Sequence, residues 1–157
     1  MKKLIFTFLL VFAFCLSYAQ DFSKIYGYKF NSAENYTEKE DDVLKCANYL
    51  FSNPSDYEVK NRLIATQFIL KWMEGTSDYT FEIGTEAIEL TDENEDLFGL
   101  YLVAMTKVVL ESKEKNLSGE RVYSEAGKIL ADYCSDSKNK MKPSKKLKRL
   151  LKVNGVN

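Results

Sequence analysis

The side chains of this chain that can do chemistry are carboxylates, tyrosines and lysines, because none of its 157 residues is a histidine. That removes imidazole-activated serine and cysteine nucleophiles, histidine-ligated zinc and histidine acid–base catalysis. The carboxylates are concentrated: between Lys71 and Lys107 lie nine acidic residues and no basic one. Four of them, Glu82, Glu86, Glu89 and Glu93, recur at helical spacing and so share a helix face. Such a face is solvated, meets a partner, or gathers around Ca²⁺; the stretch Asp92-Glu93-Asn94-Glu95-Asp96 lacks the glycine turn of an oxygen-only cation loop, so no metal and no cofactor are expected. Just upstream, Trp72 and Tyr79 offer flat surfaces suited to stacking on a sugar or peptide. The alternative for this pair is a stapled turn, with Gly75 ending one helix and Thr80 capping the next. Trp72, Tyr79, Glu82, Glu86, Glu89 and Glu93 form the candidate partner-binding set, and no catalytic residue stands out.

Charge is divided along the chain. Residues 20–137 carry 12 basic and 23 acidic residues, whereas 138–157 carry eight basic and no acidic ones. A formal net charge of −1 therefore hides an acidic body and a basic tail. In the tail, Lys145, Lys146, Lys148, Arg149 and Lys152 alternate with Leu147, Leu150 and Leu151. A helix of this kind can lie on an anionic membrane surface, at about 1 kcal/mol per basic residue, or fold back onto the acidic body. Phosphate neutralisation on nucleic acid is a further use of such a tail, but the other end of the chain argues against it. Lys2 and Lys3 precede an apolar run from Leu4 to Leu16, and Ser17-Tyr18-Ala19 places small residues before a cleavage point. This is the pattern of a secretory signal peptide over 1–19, and the run is too short to span a bilayer. The chain is expected to be exported, periplasmic or extracellular, with no nucleic-acid partner.

The elements that position these residues read as helices. Thr37-x-x-Glu40 and Ser55-x-x-Glu58 resemble capping boxes and Asp92-x-x-Glu95 an acidic start, each ahead of an apolar run of helical period. Asn53-Pro54, Gly75, Asn116 and Asn154-Gly155 mark the ends. Helices are expected near 38–52, 57–74, 80–91, 95–114, 119–135 and 143–153. Val43/Ala47/Leu50, Ile83/Ala87/Leu90 and Val122/Ala126/Ile129 repeat one spacing about every 40 positions, as helical-hairpin solenoids do. The expected fold is all-α: six helices as three stacked antiparallel hairpins, with an irregular helical bundle as the alternative. Helix 95–114 is apolar all round, which places it in the core. Residues 20–36 form an aromatic N-terminal arm that either covers the first hairpin or docks on a partner as a strand, and 37–157 form the helical domain, including the basic helix 143–153. Stacked hairpins put Cys46 and Cys134 too far apart to bridge.

The stretch Phe68 to Phe81, together with a leader ending in Ala19-Gln20, resembles small secreted uncharacterised proteins of the Bacteroidota, and the hairpin spacing is similar to tetratricopeptide-like repeats. The second resemblance implies a protein-interaction module. Three functions follow as expectations: an exported non-enzymatic helical-repeat protein that binds another protein in the cell envelope; a peripheral envelope protein held on anionic lipid by its basic helix; and an enzyme that works with carboxylates without histidine.

Overall fold

A computed structural model describes residues 22–92, 94–112, 114 and 117–153. The leader read at 1–19 lies outside them. The described residues form seven α-helices and no strand: α1 Ala33–Glu38, α2 Glu40–Ser52, α3 Val59–Gly75, α4 Thr85–Thr91, α5 Glu95–Glu111, α6 Gly119–Ser135 and α7 Lys145–Val153. The all-α expectation holds. Five of these helices match expected ones to within a few residues; α4 starts only at Thr85, behind Gly84 and not Thr80, and α1 straddles the end of the stretch read as an aromatic arm.

Apolar periodicity explains which faces meet. In α2, Val43, Cys46, Ala47 and Leu50 are buried at i, i+3, i+4 and i+7, one stripe facing inward. In α6 the buried stripe runs through Val122, Ala126, Leu130 and Cys134. α5 differs, burying Leu97, Leu100, Tyr101, Val103, Ala104 and Met105 on several sides, and it packs against α2, α3, α4 and α6. Successive pairs α2–α3, α4–α5 and α6–α7 pack together, and α5 gathers them around itself. Each fully buried leucine in this core contributes about 1.5–3 kcal/mol.

The start signals act, but on different residues. Asn94 rather than Asp92 caps α5, its Oδ1 accepting from the Leu97 N–H at 3.0 Å, while Asp92 adopts a left-handed conformation, φ 55°, at the end of α4. Thr37 lies inside α1 and its hydroxyl donates to Asp78 at 3.1 Å, so no capping box forms with Glu40. α3 begins behind Glu58, itself left-handed at φ 42°. The Glu58 carboxylate accepts from the Tyr49 hydroxyl and the Asn61 amide, both at 3.0 Å, which holds that turn in place of Ser55.

Polar groups seal the helix ends. The buried Arg62 donates to the carbonyls of Leu50 at 2.9 Å and Asn53 at 3.1 Å, meeting orphan acceptors where α2 ends. The Tyr133 hydroxyl adds a bond to the Asn53 carbonyl at 2.8 Å, tying α6 to the same turn. At α7 the Ser144 hydroxyl donates to the Leu90 carbonyl at 2.5 Å and accepts from the Leu147 N–H at 3.0 Å, fixing the last helix on the end of α4. Cys46 and Cys134 are buried thiols, not a disulfide, and burial pushes them up to about 12 and about 11 respectively.

Candidate functional site

The aromatic segment and the acidic series meet different fates. Trp72 is 0% exposed, and its indole N–H donates to the Tyr36 carbonyl at 2.9 Å. Tyr79 and Phe81 lie against the same indole, with centroid separations of 5.6 and 6.2 Å. Phe30 stacks on Tyr36 at 4.6 Å, and the Tyr36 hydroxyl fills the space a side chain at Gly75 would need. Trp72 therefore offers no stacking surface, which corrects its place in the binding set. The half-buried Tyr79 acts as its cover, and burial pushes the Tyr79 hydroxyl up. The physical reason is that Tyr79 and Phe81 pack on an indole whose only polar atom is already bonded to the Tyr36 backbone.

Glu82 and Glu86, by contrast, line an open cleft of about 710 Å³ between α4, α5, α6 and α7. Its rim carries Glu82, Glu86, Glu120, Ser124 and Lys128, all exposed. Its floor is apolar, made by Ala87, Leu90, Tyr101 and Leu150. Glu82 lies against Gly119, where a Cβ would collide with its carboxylate, so this carboxylate rests at the N-terminal turn of α6, where the helix dipole favours negative charge. Gly127 leaves the space between Leu90 and Leu150 unfilled. Glu89 points to α7 instead, pairing with Lys146 at 2.9 Å. The bond from Lys146 holds the Glu89 carboxyl below its usual range, and the same bond raises the Lys146 ammonium. Glu93 lies outside the described residues.

Two tyrosines that the sequence did not single out complete the cleft. Tyr101 of α5 is 1% exposed, and the half-buried Tyr123 of α6 meets it edge to face, with centroids 6.2 Å apart. Burial, then the neighbouring Tyr123 and Glu86, push the Tyr101 hydroxyl up to about 12, so it is a neutral donor and acceptor at ordinary pH. Among the described residues that hydroxyl has no hydrogen-bond partner, yet no side-chain oxygen or nitrogen there is both sealed and unpartnered. The hydroxyl thus keeps its opening on the cleft it lines.

The basic tail closes one side of this cleft. Leu147 and Leu151 are buried, and α7 packs on α4 and α6. Lys145, Lys148, Arg149 and Lys152 remain exposed on the outer face of α7, while Lys146 and Leu150 turn toward the cleft. Ahead of the helix, Lys140 pairs with Asp56 at 2.6 Å. The apolar stripe of α7 is thus occupied by the fold itself, and what faces outward is charge alone.

Among the described residues no group of three or more Cys, Asp or Glu is placed to hold a metal ion, and no helix is long and apolar enough to cross a membrane. Compared with family models, with curated proteins and with solved structures, the chain matches none.

Proposed function

We propose that this is an exported, non-enzymatic protein-interaction module whose docking surface is the cleft between α4, α5, α6 and α7. The observation that carries the reading is the shape and lining of that cleft: a floor of Tyr101, Leu90 and Leu150 under an exposed acidic rim. Enclosed pockets bury most of a small ligand, whereas an open-sided cleft with charged lips lets a chain segment enter and leave. An apolar and aromatic centre within a polar rim is also the anatomy of protein interfaces. The test is photocross-linking in an envelope extract, with benzoylphenylalanine placed at Leu150 in the cleft or at Leu63, which is exposed on α3. The reading expects a protein adduct from position 150 and none from position 63. Equal adducts from both positions, or none from 150, would contradict it.

A second reading rests on the outward face of Lys145, Lys148, Arg149 and Lys152: contact with an anionic membrane surface. With Leu147 and Leu151 buried, the contact would be electrostatic and lost in salt. Sedimentation with phosphatidylglycerol vesicles, comparing the wild type with a variant reversed to glutamate at those four positions, tests it. Equal partitioning of both proteins sinks the lipid idea.

A further inference from the structure

We infer that the cleft takes a basic segment of a partner protein, seating one guanidinium or ammonium group against Tyr101, Tyr123 and Glu86. This rests on the docking reading above and names the chemistry of the occupant.

Charge gives the first argument. The lining carries three carboxylates, Glu82, Glu86 and Glu120, against two ammonium groups, Lys128 and Lys146. Lys146 is already matched by Glu89, so three carboxylates face a single unmatched lysine in the cleft. The rim therefore favours a cationic occupant and repels an anionic one.

The Tyr101 hydroxyl gives the second and independent argument. Tyr101 is 99% withdrawn from solvent yet lines the cleft, and its hydroxyl, which no described residue bonds, can take a hydrogen bond from a group that enters there. Its acceptor lone pairs suit an N–H donor. Glu86 and Tyr123 line the same cleft; Tyr123 presents its ring at 65° to that of Tyr101, and its hydroxyl is met by Lys146. One ring face, one hydroxyl acceptor and one carboxylate together fit a cation on a flexible apolar stem, since aromatic faces attract ammonium and guanidinium groups. The stem of such a side chain would lie on Leu90 and Leu150.

The experiment is fluorescence anisotropy of labelled hexa-arginine with the full chain at low salt. The variants are Tyr101→Phe, Glu86→Gln and Glu74→Gln, with labelled hexa-glutamate as the opposite-charge probe. Glu74 is exposed and outside the cleft, so it reports non-specific attraction to an acidic protein. The inference expects wild-type binding to hexa-arginine and none to hexa-glutamate. It expects Tyr101→Phe to weaken affinity about ten-fold and Glu86→Gln about as much, the size of one lost hydrogen bond to a charged group, with Glu74→Gln unchanged. Absence of wild-type binding, or equal losses in Glu74→Gln and Glu86→Gln, overturns it, as does an unaltered affinity in Tyr101→Phe with helicity intact. A partner cross-linked from position 150 that hexa-arginine fails to displace leaves the docking reading standing and overturns this one.

Discussion

Two aromatic clusters sit in this molecule, and they are finished differently. Around Trp72 the rings of Tyr79 and Phe81 lie against an indole that is fully buried, and its N–H is bonded to the Tyr36 carbonyl. Around Tyr101 the closure stops short: Tyr123 covers one side, Gly127 leaves a gap and the hydroxyl faces a cleft. The first cluster spends its aromatic area on stability, and the second keeps a polar atom and charged neighbours available. The difference teaches that aromatic density is a poor guide to a binding surface, whereas an unbonded polar atom at the wall of a cleft is a better one.

The largest expected effect breaks the closed end. Trp72→Ala should cost about 3–5 kcal/mol, as large-to-small core substitutions do, read as a shifted midpoint in urea denaturation. A cost below about 1 kcal/mol would mean that the indole is not the centre of that cluster. Next comes the element that walls the open end. Leu147 is fully buried on the inner face of α7, and Leu147→Ala should cost about 2–4 kcal/mol and expose the segment after Ser137 to limited proteolysis. If the tail stays protected, its polar contacts alone hold it.

Acid should then loosen the same helix selectively. The carboxyls of Glu89 and Asp56 lie below their ordinary values of 4.5 and 3.8 because Lys146 and Lys140 donate bonds to them. The folded state therefore binds fewer protons than the unfolded one. Their contribution is complete above the ordinary carboxylate range and is lost as pH falls through the lowered folded values. Both pairs are exposed, so solvent screening keeps the effect small. Hydrogen exchange, corrected for intrinsic rates, should show protection in α7 falling at pH 3 relative to pH 6, with the indole N–H of Trp72 unchanged. Uniform loss at both ends would remove the distinction. The smallest effect is on stability at the open end: Tyr101→Phe should change it by no more than about 0.5 kcal/mol, because the hydroxyl has no bond within the described residues to lose. A cost above about 1 kcal/mol would show that the hydroxyl is already partnered.

The helices were legible because their apolar residues keep a period near 3.6, and α5 was legible as the core because it has no polar face. The caps were legible in kind and misplaced by a residue or two: Asp92 and Asn94 both suit an N-cap, and only the left-handed turn at Asp92 decides between them. α1 was missed because it is only six residues long and straddles the boundary between the arm at 20–36 and the helix expected from 38. In the candidate site, Glu82 and Glu86 were visible by spacing, but Glu89 belongs to α7, a pairing 57 positions apart that no local pattern encodes. Tyr101 looked like one more apolar residue of α5. Its value depends on α6 and α7 leaving it a cleft, which is a property of packing rather than of sequence. Trp72 drew attention because a lone tryptophan beside a glycine turn looks exposed, whereas Tyr79, Phe81 and the Tyr36 backbone meet it.

The contrast between the two clusters can be read in a single titration. With tyrosine rings labelled in ¹³C and the tryptophan indole in ¹⁵N, hexa-arginine added to the full chain should shift the resonances of Tyr101 and Tyr123 and leave the Trp72 indole where it was. A moving Trp72 indole with still resonances for Tyr101 and Tyr123 would contradict this, placing the binding surface at the closed end.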